Sequence, residues 1–221
     1  MFAGKPIIGL SGGIGSGKSF IARHFGEFGG LVLSADDQVR QAYSDPAVQQ
    51  TLRQWWGDSI FNSAGEIQRK SIAAIVFNNP AERQRLEALL HPMVDLLRQS
   101  EMQAAANDPR IVAYIWDVPL LFEVGLDARC DALVFVEAPL ADRLERVKAT
   151  RGWDEAELAR REKLQLGLDN KRRMSKYSVQ NTADVGFARQ QVEAVLKQIL
   201  AASTTRAHSE PGDTAASQPV D

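Results

Sequence analysis

The 221-residue chain has little of what would place it outside the class of ordinary globular proteins. Its single cysteine, Cys130, excludes an internal disulfide and is typical of a protein of the reducing cytosol. Its apolar runs, such as Ala132 to Val136, are far too short to span a bilayer. The formal net charge of −2 provides no basic field that would attract nucleic acid or anionic lipid. We therefore expect a cytoplasmic protein without nucleic-acid or membrane partners, of an oligomeric state that the sequence leaves open.

A glycine-rich segment near the N-terminus is the most informative motif. Gly12, Gly17, Lys18 and Ser19 complete the pattern G-x-x-x-x-G-K-S, with an apolar run before it and a helical pattern after it. This is the context of a phosphate-binding loop, in which backbone amides surround an anion and the lysine reaches the outer phosphates. The motif predicts binding of a nucleoside triphosphate, with the Ser19 hydroxyl on Mg²⁺.

The apolar runs predict a parallel sheet. After the run at residues 7–10, strands are expected at Leu31–Leu33, Ile111–Asp117, Ala132–Glu137 and, more weakly, Tyr177–Val179. Between the second and third strands lies a long helical stretch, with helix starts at Asp45-Pro46 and Asn79-Pro80. We interpret this stretch as an insertion that either grips a second substrate or only packs. His91-Pro92 predicts a kink or a break in its last helix.

These observations divide the chain. Residues 1–36 and 106–200 are predicted to form the core, residues 37–105 a helical insertion and residues 201–221 a disordered tail. The segment of about residues 143–175 is rich in arginines and lysines, with acidic residues among them. Such a mixture is typical of a solvated face, but in a phosphate-loop protein it also fits a cationic lid that closes over the γ-phosphate.

Two classes of phosphate-loop protein compete. The sequence disfavours a guanine-nucleotide switch, because no aspartate has glycine three residues later and Asn170-Lys171-Arg172-Arg173 lacks the aspartate that would read guanine. A kinase fits Asp36, which follows the second strand. Its carboxylate is positioned to accept a proton from a substrate hydroxyl, to hold Mg²⁺ through water, or to cap the next helix. Asp117 ends the next predicted strand and is similarly placed.

Several motifs together resemble those of dephospho-coenzyme A kinases over roughly residues 7–200. They are Gly9–Ser19, Ala35-Asp36 with Val39-Arg40, Leu89-Leu90-His91-Pro92 and Asp117–Glu123, followed by Gln165, Lys171 and Asn181 at the family's spacing. The resemblance implies an α/β fold of the P-loop NTPase class: three α/β/α layers with a parallel sheet, a helical substrate-binding insertion and a helical lid. It also implies the transfer of phosphate from ATP, with Mg²⁺, to the ribose 3′-hydroxyl of dephospho-coenzyme A. This is the last step of coenzyme A synthesis.

The resemblance also implies site residues. Asp36 would be the catalytic base, assisted by Lys18, Arg146 and Arg151. The ATP-binding residues would be Gly12, Gly13, Ile14, Gly15, Ser16, Gly17, Lys18, Ser19 and Asn181. The acceptor would contact Arg40, His91, Pro119, Leu120 and Glu123. Two positions depart from the family pattern: Ser34 stands where an acid is usual, and Ser175-Lys176 where Ala-Asp is common.

Two alternative functions remain open at the level of the sequence. The first is a kinase that acts on another small molecule or on a nucleoside monophosphate. The second is a non-catalytic nucleotide-binding regulator, which is disfavoured by the presence of Asp36 together with the cations of the predicted lid.

Overall fold

In the computed structural model of the chain, residues 1–77, 79–182 and 184–209 are described, the last four without their side chains. Their strands form one parallel sheet in the order β2-β3-β1-β4-β5. The strands are β1 (Ile7–Gly12), β2 (Gly30–Ser34), β3 (Ala113–Asp117), β4 (Ala132–Glu137) and β5 (Tyr177–Gln180). The predicted strands are therefore confirmed, including the weak fifth one.

The sheet is covered on both faces, as continuous apolar strands require. One face packs against α1 (Lys18–Glu27) and α9 (Val185–Ser209), where Ile21, Phe25 and Val192 are fully buried. The other face buries Tyr114 and Trp116 of β3 against Met102. The predicted three-layer α/β/α architecture is confirmed.

Among the described residues, four α-helices lie between β2 and β3 in the chain. They are α2 (Ala35–Tyr43), α3 (Pro46–Trp56), α4 (Arg69–Phe77) and α5 (Pro80–Ala104). Asp45 and Asn79 cap α3 and α5, as their sequence context predicts, each accepting two backbone amides of the first turn. The four helices share an apolar cluster of their own around Leu52 and Ile60. Our interpretation of this segment as a helical insertion rests on that separate packing.

The expected break at His91-Pro92 is wrong. Helix α5 continues through Pro92 without interruption. Proline in a helix interior costs about 3 kcal/mol, because it lacks an amide donor and crowds the preceding turn. Leu90 before it and Val94 after it are both buried, so both halves of the helix are held by packing and the continuous form is retained.

The chain after β4 is helical on both sides of β5. It forms α6 (Leu140–Arg151), α7 (Glu155–Glu162) and α8 (Leu168–Met174), the region predicted to be the lid. Helix α9 then runs to Ser209, so helical structure reaches nine residues into the segment expected to be a disordered tail, and residues 210–221 lie outside the described residues. Within the described ranges, no helix has the length and apolar character needed to cross a membrane.

The topology brings the polar strand ends to one edge. After β1 the chain moves to one side of the sheet to form β2 and β3, and after β3 it crosses to the other side to form β4 and β5. Ligands of open α/β sheets bind at the carboxyl ends of the strands where the order reverses in this way. Ser34 at the end of β2 pairs in register with Asp117 at the end of β3, next to the loop that follows β1.

Cys130 is a packing residue rather than a reactive one. Burial raises the pKa of its thiol to about 12, and the nearby Asp127 and Asp131 carboxylates act in the same direction. At pH 8 we therefore expect an alkylating reagent to react with the folded protein roughly a thousandfold more slowly than with the unfolded chain. Mass spectrometry of time points with and without denaturant measures this ratio. Equal rates would contradict the burial of the thiol.

Candidate active site

The glycines of the loop after β1 are required by its backbone. Gly15 and Gly17 have φ of 77° and 86°, in the region that L side chains rarely adopt. The Cβ of any side chain on Gly17 would also clash with Nδ2 of Asn181. The spacing of glycines in the motif therefore follows from both conformation and space.

The loop keeps a run of amides free. The amides of Ile14 and Ser16 donate to protein acceptors, the Glu162 carboxylate and the Gly13 carbonyl. In the part of the chain that the structure describes, no protein acceptor receives the amides of Gly15, Gly17, Lys18 and Ser19. The last two also begin α1, whose dipole favours an anion at this point. The arrangement is a cradle for phosphate oxygens.

The Lys18 side chain lies against the start of this loop. Its Nζ donates to the carbonyls of Gly12 and Gly13 at 3.3 and 3.4 Å. Burial lowers the pKa of Lys18 to about 8; the Asp117 carboxylate opposes the shift, whereas Lys171 and Arg151 add to it. The nearby negative charge therefore does not compensate fully for the burial of the ammonium group, and a bound polyphosphate would supply more of it.

The carboxyl edge beside the loop carries acidic groups. Asp117 at the end of β3 is buried, and burial raises the pKa of its carboxyl group. The Ser19 side chain and the charge of Lys18 act in the opposite direction, while Asp36 and Asp37 raise the pKa further. Asp117 and Ser19 thus place two oxygen ligands together at the mouth of the loop.

Asp36 is exposed in the first turn of α2. It does not cap that helix, because Ser34 fills the position and its Oγ accepts the Asp37 amide at 3.3 Å. The carboxylate of Asp36 is therefore available to a ligand. Arg40, one turn later, is exposed and forms an ion pair with Asp37 rather than with Asp36.

Arg146 and Asn181 hold the loop from the outside. Arg146 Nη1 donates to the carbonyls of Gly15 and Ser16, both at 3.3 Å, and its Nη2 donates to the Asn181 carbonyl at 3.2 Å. The Asn181 side chain is buried and donates to the Ser16 carbonyl at 2.7 Å. Both residues therefore shape the loop, whatever further contact each makes with nucleotide.

Arg151 lies near the same centre. It is close enough to Lys18 to lower the pKa of that lysine. Its guanidinium stacks on the ring of Trp153, 4.8 Å from the centroid, and Arg161 stacks on that ring at 4.1 Å. Two lid arginines thus share one aromatic support, which orients them at little entropic cost.

Helix α7 of the lid touches two other parts of the molecule. At its C-terminal end, Glu162 accepts the Ile14 amide of the loop at 3.3 Å, and Arg143 of α6 pairs with the same carboxylate. On another side, the Arg160 guanidinium lies 5.4 Å from the ring centroid of Phe77 in α4. The lid therefore reaches both the phosphate loop and the four-helix segment.

Glu123 has strong protein partners. Its Oε1 is 2.9 Å from Nζ of Lys171, which is buried, and accepts the Leu166 amide at 2.9 Å. Burial raises the pKa of Glu123, but the bonds from Lys171 and Leu166 outweigh it and hold the pKa below its usual value. Lys171 also donates to Gln165 at 3.0 Å. This network joins the turn after β3 to the lid.

The other predicted acceptor residues lie at the surface. Pro119 and Leu120 are exposed in the turn after β3, and His91 is exposed on α5. The described structure gives them no hydrogen bond to the loop or to Asp36. Their place at the acceptor therefore stays a prediction.

The departure at Ser175 is accommodated by a partner. Ser175 is buried, and its Oγ donates to the Lys171 carbonyl at 2.8 Å and lies 2.9 Å from Oγ of Ser11 in β1. Lys176 next to it stacks on Tyr177 with its Nζ 5.4 Å from the ring centroid. The two hydroxyls satisfy each other, so serine in place of alanine leaves no buried polar group unpaired here.

Sequence reasoning missed Arg143, Trp153 and Glu162 as residues of the site. Arg143 was one cation among many in a charged region, and only its position one turn before Arg146 distinguished it. Trp153 and Glu162 carried no local signal, because their partners lie on other turns, helices or loops. Lys171 was part of the resemblance but was given no role.

A glycine loop after the central strand of a parallel sheet, with a half-buried lysine and an acidic edge beside it, defines a P-loop kinase. A family model described as dephospho-CoA kinase matches residues 6–186. The chain belongs to the dephospho-CoA kinase family.

Similar proteins agree with this membership. A dephospho-CoA kinase of Deinococcus radiodurans is 36% identical over 192 residues, which are 87% of this chain and 91% of that relative. The crystal structure of TT1252 from Thermus thermophilus has a TM-score of 0.73 and 31% identity, covering 90% of this chain and 98% of the other. A dephospho-CoA kinase from Campylobacter jejuni shares the fold, with a TM-score of 0.65 at 20% identity and coverage of 90% and 98%.

The lowered pKa of Lys18 predicts a proton-linked affinity for ATP. In the free protein Lys18 is charged below about pH 8 and neutral above it, and bound polyphosphate raises its pKa. Above pH 8, ATP binding should therefore take up a proton, and affinity should fall by up to about tenfold per pH unit. Calorimetry in two buffers of different protonation enthalpy measures the uptake.

The control for this prediction is Lys18→Arg, whose side chain stays charged throughout the range. This variant should show no proton uptake between pH 8 and about 9.5. The same uptake in wild type and in Lys18→Arg would assign the linkage to another group.

Proposed function

We propose that this chain transfers the γ-phosphoryl group of ATP to the ribose 3′-hydroxyl of dephospho-coenzyme A, giving coenzyme A and ADP. Its family catalyses the ATP-dependent phosphorylation of dephospho-CoA, in the last step of coenzyme A synthesis. The observation that carries the proposal is the uncommitted carboxylate of Asp36, which lies at the same sheet edge as the open amides of the loop. A cytoplasmic location is part of this proposal, supported by the single cysteine.

Phosphoryl transfer depends on position and charge more than on covalent chemistry. The amides of Gly15, Gly17, Lys18 and Ser19 would bind the phosphate oxygens of ATP. The Lys18 ammonium group would stabilise the negative charge that develops on the leaving oxygen. Arg151 would add a second cation from the lid, oriented by its stacking on Trp153. In this proposal Arg146 and Asn181 keep the loop in the shape that nucleotide requires, through their bonds to its carbonyls.

The oxygen atoms of Ser19 and Asp117 fit Mg²⁺. The Ser19 side chain is near enough to the Asp117 carboxylate to lower its pKa, so a hydroxyl and a carboxylate lie together at the mouth of the loop. Among the described residues no cluster of three or more His, Cys, Asp or Glu is suited to a metal, so a cage made only of protein is absent there. Mg²⁺ commonly takes one or two protein oxygens and completes its shell with water and phosphate. When bound, it would neutralise charge on the phosphates.

Asp36 would accept the proton of the attacking hydroxyl, since its carboxylate is exposed and not used as a helix cap. Arg40, His91, Pro119 and Leu120 would then contact the acceptor on the exposed face between the sheet edge and α5. Glu123 would act differently, by fixing the turn that carries Pro119 and Leu120 through its ion pair with Lys171. The contact of Arg160 with Phe77 would close this space from the lid side and restrict water.

The test of the proposed function is product formation by the purified protein. With ATP, Mg²⁺ and a panel of hydroxyl acceptors, we expect dephospho-coenzyme A to gain one phosphate at the 3′ position, identified by mass spectrometry and phosphorus NMR. Shikimate, gluconate and nucleoside monophosphates serve as competing acceptors. Preference for one of these would replace the assigned substrate, and nucleotide binding without any product would indicate a regulator.

The relative losses in turnover should follow the sizes of the two catalytic effects. A transition-state arginine contributes about 10³–10⁵ in rate, and general-base assistance about 10²–10⁴. We therefore expect Lys18→Ala and Arg151→Ala to lower kcat at least as much as Asp36→Asn. Steady-state kinetics at saturating ATP and acceptor measure all three. An inactive Asp36→Asn beside a nearly normal Lys18→Ala would contradict this ranking.

A further inference from the structure

Arg143 and Glu162 form an ion pair on the phosphate loop, so a carboxylate lies beside a site that binds anions. Arg143 Nη1 donates to Glu162 Oε1 at 2.5 Å and to the Ile14 carbonyl at 3.3 Å. The same Glu162 oxygen accepts the Ile14 amide at 3.3 Å. The side chains are 7% and 23% exposed. One arginine and one glutamate therefore bind a single residue of the phosphate loop through both its N–H and its C=O.

The pair lies directly on the backbone of the loop. A Cβ added to Gly13 would meet Arg143 Nη1 at 2.8 Å and Glu162 Oε1 at 3.2 Å. Because Ile14 is held on this outer side, the following free amides are left to face an anion. Arg143 lies one turn before Arg146 in α6, and Glu162 follows Arg161 in α7, so the pair also joins both lid helices to the loop.

A negative charge here has an electrostatic cost. The loop exists to receive several negative charges, and a bare carboxylate on the Ile14 amide would repel them in partly buried surroundings. The guanidinium of Arg143 removes most of that repulsion, because it contacts the very oxygen that accepts the amide. Anchoring and neutralisation are thus divided between the two side chains.

We propose that Arg143 and Glu162 are positioning residues for the ATP site: Glu162 anchors the Ile14 peptide, and Arg143 neutralises the carboxylate so that the loop still accepts polyphosphate. The inference rests on the proposed function only in taking ATP as the ligand of the loop. Neither residue contacts the acceptor in this scheme, so both act on ATP affinity and leave the affinity for the acceptor unchanged.

The test is a double-mutant cycle of Arg143→Ala and Glu162→Ala, read by direct titration with ATP and Mg²⁺. Arg143→Ala should weaken ATP binding more than tenfold, since it leaves the carboxylate unpaired. The double variant should bind ATP more tightly than Arg143→Ala, because the repelling charge is gone. Glu162→Gln keeps an acceptor for the Ile14 amide and should stay within about threefold of wild type.

Two further measurements separate positioning from a general loss of structure. The KM for the acceptor should change by less than twofold in every variant that retains turnover, and Arg143→Lys should restore part of the ATP affinity. The control is Glu155→Ala, which removes an exposed carboxylate from the first turn of α7 and should leave ATP affinity unchanged. Thermal unfolding of each variant shows whether it is folded at the assay temperature.

The outcomes are distinct. Equal ATP affinity in Arg143→Ala and in the double variant would overturn the proposed neutralisation. Wild-type affinity in Glu162→Ala would overturn the anchoring. ATP binding is measured without an acceptor, so these results stand even if product analysis replaces dephospho-coenzyme A by another substrate. Failure of the wild-type protein to bind ATP would instead contradict the proposed function itself.

Discussion

The site depends on the orientation of a few peptide groups. Three successive carbonyls of the loop, those of Ile14, Gly15 and Ser16, accept hydrogen bonds from Arg143, Arg146 and Asn181. With the carbonyls held outward by these donors, the amides of the neighbouring residues are left free for an anion. Unpaired amides in a partly buried loop are costly, so the donors from the lid and from the end of β5 maintain a conformation that the loop alone would not keep.

The same arrangement concentrates positive charge. Lys18, Lys171 and Arg151 lie near enough for the last two to lower the pKa of the first, in addition to the effect of burial. Glu123 balances Lys171, and Asp117 partly balances Lys18, so the structure compensates locally but incompletely. The remaining imbalance is relieved by a polyanion. A lysine with a lowered pKa of this kind is typical of functional sites.

The sequence was sufficient for the features that depend on local order. Strand positions followed from apolar runs, the caps at Asp45 and Asn79 from residue type, and the phosphate loop from glycine spacing. The continuity of α5 through Pro92 was not predictable, because it depends on the burial of Leu90 and Val94 in the folded protein. For the same reason Glu162 could not be assigned: its two partners are 148 and 19 residues away in the chain.

The acidic edge shows how a departure from the family pattern can be compatible with the chemistry. Ser34 faces Asp117 in the register of β2 and β3, so an acid at position 34 would add a carboxylate to a place where Asp117 already carries a raised pKa. Ser34 caps α2 instead, so the Asp36 side chain is not used as a cap and is exposed in the first turn. One acid fewer at this edge therefore spares Asp117 a further like charge and leaves the carboxylate of the proposed base free of a capping role.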